Sequence, residues 1–285
     1  MPGTVQDIKV RNMSESNVRS LMPAMAAAAL LIALAVTTSL CTDHSVDPVV
    51  PSGWADLTVF KQMLADSGAA LSVLSSTQSV DSAEDPANSL MVLVGVESAF
   101  SSEDFTAINA FATAGGSVII ADDGNLANRI STAFGVEYDG APVIVKTMYD
   151  FNISFIYTNA TMDGYEYIVL FNGPTGLIKT GNASIIARSP EQVTVCDRNR
   201  NYVLEVSEYT PWVPFAVQVT CGEGRILFFS NTGLFTDKMI EYNKYENKAF
   251  INKMISTLVP EGGHIYYDQS KQVSEFSGHA ILPGT

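Results

Sequence analysis

Histidine and cysteine are scarce in this chain, three of each in 285 residues, and basic side chains are heavily outnumbered by acidic ones. Each shortage excludes something. His44, His264 and His279 stand far apart, without metal-ligand spacing. His44 falls in a polar linker and His279 in the tail, so a histidine-based triad would have only His264 to draw on. There is no G-x-S-x-G or G-x-C-x-G nucleophile elbow, no G-x-x-x-x-G-K-[ST] phosphate loop and no G-x-G-x-x-G turn. With 16 Lys and Arg against 30 Asp and Glu, a net charge of −14 and no basic run, the chain cannot neutralise a phosphate backbone, and nucleic acid is excluded as a partner.

Apolar residues are plentiful. At 47% hydrophobic and 16% charged, the chain can bury a full core as one large domain or a domain with an insertion. Residues 20–42, SLMPAMAAAALLIALAVTTSLCT, carry no charge. As a helix they would span about 34 Å, enough for a bilayer core. Lys9, Arg11 and Arg19 precede them, and Asp43 and Asp47 follow. This charge asymmetry predicts a single-pass cell-membrane protein with residues 1–19 as a cytoplasmic tail and the body extracytoplasmic. A cleaved signal peptide with its apolar stretch at 24–36, or lipidation at Cys41, would also place the body outside.

Other features agree with export. Asn152-Ile-Ser, Asn159-Ala-Thr and Asn182-Ala-Ser are glycosylation acceptor sequences. Cys196 and Cys221, the only cysteines beyond residue 42, end two β-like runs, and an oxidising compartment would favour a disulfide between them. Two separately buried thiols are the alternative.

Beyond a proline-punctuated linker (43–53), Trp54, Leu57, Phe60, Met63 and Leu64 share one helical face. LSVLS (71–75) predicts a strand, and LMVLVGV (90–96) one buried on both faces. Ser101 and Asp104 predict a capping box for a helix striped by Phe105, Ile108 and Phe111, stopped by Gly115-Gly116. SVIIAD (117–122) is the next buried strand, and a helix is expected over 125–134. Between 140 and 224 helical spacing disappears and short β-rich runs take over, an insertion or a sheet extension. RILFFSN (225–231) resumes the core, followed by a helix over 237–258 and a closing strand, HIYYD (264–268); 269–285 is a tail. The alternation of β and α over 54–139 and 225–268 predicts an α/β fold: a three-layer sandwich around a mainly parallel central sheet, with the β-rich segment and an N-terminal transmembrane helix added.

In such sheets ligands bind outside the carboxyl ends of the strands. The polar residues expected there are Glu97, Asp122, Asp123, Asn125, Asn231 and Asp268. They are candidates for binding a cation or a polar ligand, or for acid–base chemistry. Turn and capping roles explain acids and amides at strand ends equally well. One further string, DRNRNYVLEVSE, places Asp197, Asn199, Asn201 and Glu208 at calcium-loop positions, with Tyr202 where that loop needs glycine; a polar hairpin turn is the alternative. No cofactor is otherwise expected.

The series GGSVIIADDGN, YEYIVLFNGPTGLI, GEGRILFFSNTGLF, NKAFINKMI and IYYDQS, behind an N-terminal anchor, resembles the membrane-anchored archaeal proteins grouped as DUF4350 over residues 20–272. The resemblance implies a flavodoxin-like, glutamine-amidotransferase-like sandwich facing outward, akin to extracytoplasmic accessory subunits of ABC transport systems. It implies no amidotransferase catalysis, because no cysteine stands on a strand-to-helix elbow. Of an Asp-Glu-Ser-His string in similar proteins, this chain keeps only Asp268 and Ser270. The expected function is a non-catalytic extracytoplasmic binding domain, an accessory to a membrane-protein complex of transport or envelope type. The second expectation is a carboxylate- or metal-dependent hydrolase or lyase using the rim acids.

Overall fold

The structure is a computed structural model that describes residues 56–145, 154–190, 194–203, 205–210 and 212–272. All belong to the second of two compact units, residues 50–285. The segment 20–42 lies outside the described residues; among those described, no helix is long and apolar enough to cross a membrane.

In chain order the strands are β1 Ala70–Leu74, β2 Ser89–Val94, β3 Ser117–Ala121, β4 Glu137–Val145, β5 Phe155–Met162, β6 Tyr165–Asn172, β7 Thr175–Lys179, β8 Ser184–Arg188, β9 Thr194–Cys196, β10 Pro214–Cys221, β11 Gly224–Phe229 and β12 His264–Asp268. The α-helices are α1 Thr58–Ala65, α2 Ser102–Thr113, α3 Asn128–Ser131, α4 Asp237–Ile240 and α5 Asn247–Leu258. Nine strands form one sheet in the order β1-β12-β2-β3-β11-β10-β8-β5-β6, and three form a second, β7-β4-β9.

The continuous apolar runs resolve into two faces with period two. Leu90, Val92 and Val94 of β2, Ile119 of β3 and Leu227 and Phe229 of β11 pack with Phe60 and Leu64 of α1 and Phe250, Ile251 and Met254 of α5. Met91 and Leu93, Val118 and Ile120, and Ile226 and Phe228 face the other way, against Ile108 and Phe111 of α2. The predicted capping box is present: Ser101 Oγ accepts from the Asp104 N–H at 3.1 Å, and Asp104 Oδ2 accepts from the Ser101 N–H at 2.7 Å.

The sheet itself corrects the expected fold. In the nine-stranded sheet the four pairings that join β1, β12, β2, β3 and β11 to one another are parallel and the other four are antiparallel, and both pairings of the three-stranded sheet are antiparallel, so six of the ten are antiparallel. The fold is therefore a large mixed sheet, not a mainly parallel one. Two tight hairpins are the physical reason. Gly222, with φ 58°, opens the two-residue turn from β10 to β11, and a Cβ there would sit 2.6 Å from the Thr113 backbone. Asp163 and Gly164, with φ 52° and 77°, form the turn from β5 to β6, both residues being left-handed as a type I′ turn requires. Strands β10, β8, β5 and β6 thus extend the same sheet.

Two predicted helices are shorter than their periodicity suggests. The helix expected over 125–134 is α3 followed by a 3-10 turn, Thr132–Phe134, ended by Gly135 at φ 79°. The helix expected over 237–258 is broken between α4 and α5. The broken segment carries Glu246, whose carboxylate accepts the Ile168 N–H of edge strand β6 at 2.7 Å.

Candidate functional site

The parallel strands β12, β2, β3 and β11 bring their carboxyl ends to one rim. Glu97 follows β2, Asp122 and Asp123 follow β3, Asn231 follows β11 and Asp268 ends β12. Strand β2 lies between β12 and β3, so Asp268 and Asp122 are two strand spacings apart, about 10 Å.

Asp122 is buried at 1% exposure. Its two oxygens accept the backbone N–H groups of Gly124 and Ala127, both at 2.7 Å, which anchors the turn into α3. Burial raises its pKa above the ordinary aspartate value, while those backbone N–H groups pull the other way. Asp123 Oδ1 accepts from the Thr232 N–H at 2.6 Å and from Asn231 Nδ2 at 3.3 Å, joining the ends of β3 and β11. Asn231 also accepts the Leu234 N–H at 2.9 Å and donates to the Asn172 carbonyl at 2.8 Å. Asp268, 1% exposed, accepts from Thr77 Oγ1 at 2.6 Å and from the Ser270 N–H at 2.7 Å. Asn125 is exposed, and its carbonyl accepts the Asn128 N–H. Of the expected cluster, the structure brings together Asp123 and Asn231, and holds Asp122 and Asp268 in separate turns.

Sequence reasoning missed what packs against the β1 and β2 ends of this rim. Residues 269–272 are not a free tail: the Lys271 carbonyl accepts the N–H groups of Glu97 at 2.9 Å and Ser98 at 3.2 Å, and Gln272 Nε2 donates to the Val94 carbonyl at 2.6 Å. Lys271 Nζ forms an ion pair with the buried Asp104 carboxylate, which also receives Gln78 Nε2. Burial alone would raise the Asp104 pKa, but the hydrogen bond from Lys271, the Ser101 N–H and the ammonium charge together hold it below the usual value. Beneath the segment, burial pushes Tyr267 up to about 12. Tyr138, wholly buried near Asp122 and Asp123, is raised well above 10 by burial and by those two charges. Its hydroxyl finds no hydrogen-bond partner among the described residues.

The calcium-like string also folds on itself. Asp197 Oδ1 accepts the Asn201 N–H at 3.1 Å and its Oδ2 the Tyr202 N–H at 2.8 Å. Asn199 Oδ1 accepts the Asn201 N–H, Asn201 Oδ1 the Val203 N–H, and Glu208 Oε1 the N–H groups of Arg198 and Asn199. Tyr202 adopts φ 56°, the conformation a glycine would take without strain. Among the described residues no group of three or more His, Cys, Asp or Glu is placed to hold a metal ion.

The expected disulfide is not formed. Cys196 and Cys221 are both free and buried. Cys196 packs in the core layer shared with α1 and α5, and Cys221 in the layer on the opposite face with α2. Asn159 and Asn182 are exposed, and Asn152 lies outside the described residues. Among the described residues, cavities are also found that no rim residue lines. One, of about 550 Å³, lies between α1 and α5 beside Val59, Met63, Lys248 and Ile255. Another, of about 700 Å³, is lined by Tyr157, Ile168, Lys244, Tyr245 and Glu246.

Among solved structures, the chain is similar to the mmIFT52 N-terminal domain, at 12% identity and a TM-score of 0.47 over 64% of this chain and 80% of that one. It is similar to the exo-beta-1,4-mannosidase Op5Man5 from Opitutaceae bacterium strain TAV5, at 10% identity and a TM-score of 0.33 over 59% of this chain and 24% of that one. It is also similar to alpha-L-fucosidase isoenzyme 2 from Paenibacillus thiaminolyticus, at 13% identity and a TM-score of 0.34 over 60% of this chain and 24% of that one. No curated protein matches it. Residues 52–255 match the domain of unknown function DUF4350, and the chain belongs to that family.

Proposed function

We propose that this DUF4350 chain is a membrane-tethered extracytoplasmic binding domain, non-catalytic, that serves as an accessory to a membrane transport or envelope system. The tether is the uncharged segment 20–42, with Lys9, Arg11 and Arg19 on its cytoplasmic side. The observation that carries binding over catalysis is the fate of the rim acids. Asp122 and Asp268 each give both oxygens to local donors, and Asp123 ties β3 to β11. A general acid or base needs an oxygen aimed at substrate, and a divalent cation needs several converging ones. The reading needs no cofactor.

The test is cross-linking in intact membranes, with tagged full-length protein captured and its partners identified by mass spectrometry. Stoichiometric recovery of a transporter or envelope component is the expected result. Recovery of the protein alone overturns the accessory role.

A further inference from the structure

We propose that Asn159 is a glycan attachment site whose first sugar rests on a platform built by Tyr157 and Ile168. The proposal rests on the extracytoplasmic reading above, since the transfer occurs outside the cytoplasm.

The acceptor sequence Asn159-Ala160-Thr161 lies inside strand β5. Alternation puts Tyr157, Asn159 and Thr161 on one face, all exposed, while Ile156, Ala160 and Met162 turn into the core. Tyr157 precedes Asn159 by two residues, so their Cβ atoms stand about 7 Å apart along the strand. Directly across the ladder from Asn159 is Ile168. The Ile168 N–H points away from β5, to Glu246 at 2.7 Å, so Asn159 and Ile168 form a pair without mutual backbone hydrogen bonds. Such pairs bring their side chains closest, at about 4.5 Å between Cα atoms.

Tyr157 and Ile168 leave an exposed apolar patch beside Asn159. Tyr157 is 38% exposed and Ile168 49% exposed in mid-strand positions. The Tyr157 ring is held in place by stacking on Tyr245, 5.7 Å between centroids at 24°, and Tyr245 stacks on Tyr242 at 5.9 Å and 15°. Tyr157, Ile168 and Tyr245 line the cavity of about 700 Å³, with Lys244 and Glu246 supplying polar groups to its wall. A sugar ring matches this chemistry: its C–H face covers the tyrosine and isoleucine, and its hydroxyls meet water and the polar margin. Asn182 offers a contrast. It sits in the turn between β7 and β8, with Thr180 at the position equivalent to Tyr157.

The donor is a polyprenyl diphosphate-linked oligosaccharide. The Asn159 amide nitrogen attacks the anomeric carbon and loses a proton; the new C–N bond replaces the C–O bond to the diphosphate, which leaves with the lipid. No oxidation state changes.

The experiment is glycopeptide mass spectrometry of the full-length protein purified from its own membranes, alongside protease accessibility of the body in intact cells. Expected are a glycan on Asn159, its loss in Asn159→Gln and Thr161→Ala, and its retention in Thr161→Ser. Tyr157→Ala lowers occupancy at Asn159 severalfold, Tyr157→Phe does not, and occupancy at Asn182 follows neither, which separates a lost platform from misfolding. Deglycosylation of the native protein lowers its Tm, and does so less in Tyr157→Ala. An accessible body with Asn159 bare overturns the site and leaves the topology standing. Occupancy at Asn159 insensitive to Tyr157→Ala overturns the platform. A protected body overturns both the site and the extracytoplasmic reading.

Discussion

The carboxamide of Asn247 pairs with the backbone of Leu170 in both directions: Oδ1 accepts the Leu170 N–H at 2.8 Å, and Nδ2 donates to the Leu170 carbonyl at 2.9 Å. Glu246 does the same for Ile168, through its carboxylate and its own N–H, and Asn231 for Asn172. Side chains thus replace a tenth strand along β6. An edge strand otherwise presents these groups to any passing chain. Asn247→Ala strips two buried partners from Leu170 and is expected to destabilise the fold by about 2–4 kcal/mol. Asn247→Asp keeps the acceptor and loses the donor, so it should fall between. Urea unfolding and amide exchange at Leu170 check this; unchanged protection there would refute the capping role.

Asp122 carries a prediction with a definite pH sign. Its folded-state pKa is raised from the ordinary 3.8 by burial. Between those two values the folded protein holds a proton that the unfolded chain has released. This group's contribution is therefore most favourable on the acid side and declines as pH rises through the window. Asp122→Asn cannot titrate, so that part of the slope disappears. It also exchanges one acceptor oxygen for a donor facing a backbone N–H, at a cost of about 1–2 kcal/mol near neutral pH. Thermal unfolding from pH 3 to 7 reads both. An unaltered pH profile would show that Asp122 does not titrate with folding.

Much of the architecture is legible in the sequence where the signal is local. The doubly buried runs of β2, β3 and β11 are read from composition, and the α2 capping box from Ser101 and Asp104. The direction of the sheet's second half is legible only in part. Asp163-Gly164 between alternating runs is a strong hairpin signal that fixes β5 against β6. The order β10-β8-β5 depends on pairings between distant segments that no periodicity announces. At the rim, Asp122 and Asp123 are recognisable as strand-end acids, but their partners are backbone N–H groups of Gly124, Ala127 and Thr232. Backbone donors belong to every residue and leave no mark in a sequence. The contact of Lys271 with Asp104, 167 residues away, is equally silent.

The cysteines give a simple chemical prediction. Cys221 Sγ lies 3.6 Å from Asn109 Oδ1 and from Thr113 Oγ1, on the α2 face of the sheet. Burial raises the Cys196 pKa, which slows its reaction in the native protein. Alkylation after denaturation without reductant should label both cysteines fully, and reductant should leave the Tm unchanged. A linked peptide pair containing Cys196 and Cys221 would contradict the separate placement.

Lys271 fastens the segment that packs on the β2 end of the rim, and its removal should be felt in two places. In Lys271→Met the Asp104 carboxylate stays buried with the Ser101 N–H and Gln78 as partners. The expected loss is about 2 kcal/mol, less than the 3–5 kcal/mol typical when a buried pair loses one member and the other keeps no partner. Asp104 has a depressed folded-state pKa, so its contribution is present above 3.8 and fades as pH falls through the folded value. Wild type and Lys271→Met should therefore differ most at neutral pH and converge in acid. The second effect is local. Glu97 and Ser98 donate their N–H groups to the Lys271 carbonyl, so both amides should exchange faster in the variant while Leu93 and Ile120 in the core do not. Equal exchange at Glu97 and Ser98 in the two proteins would mean that Gln269 and Gln272 hold the segment without the ion pair.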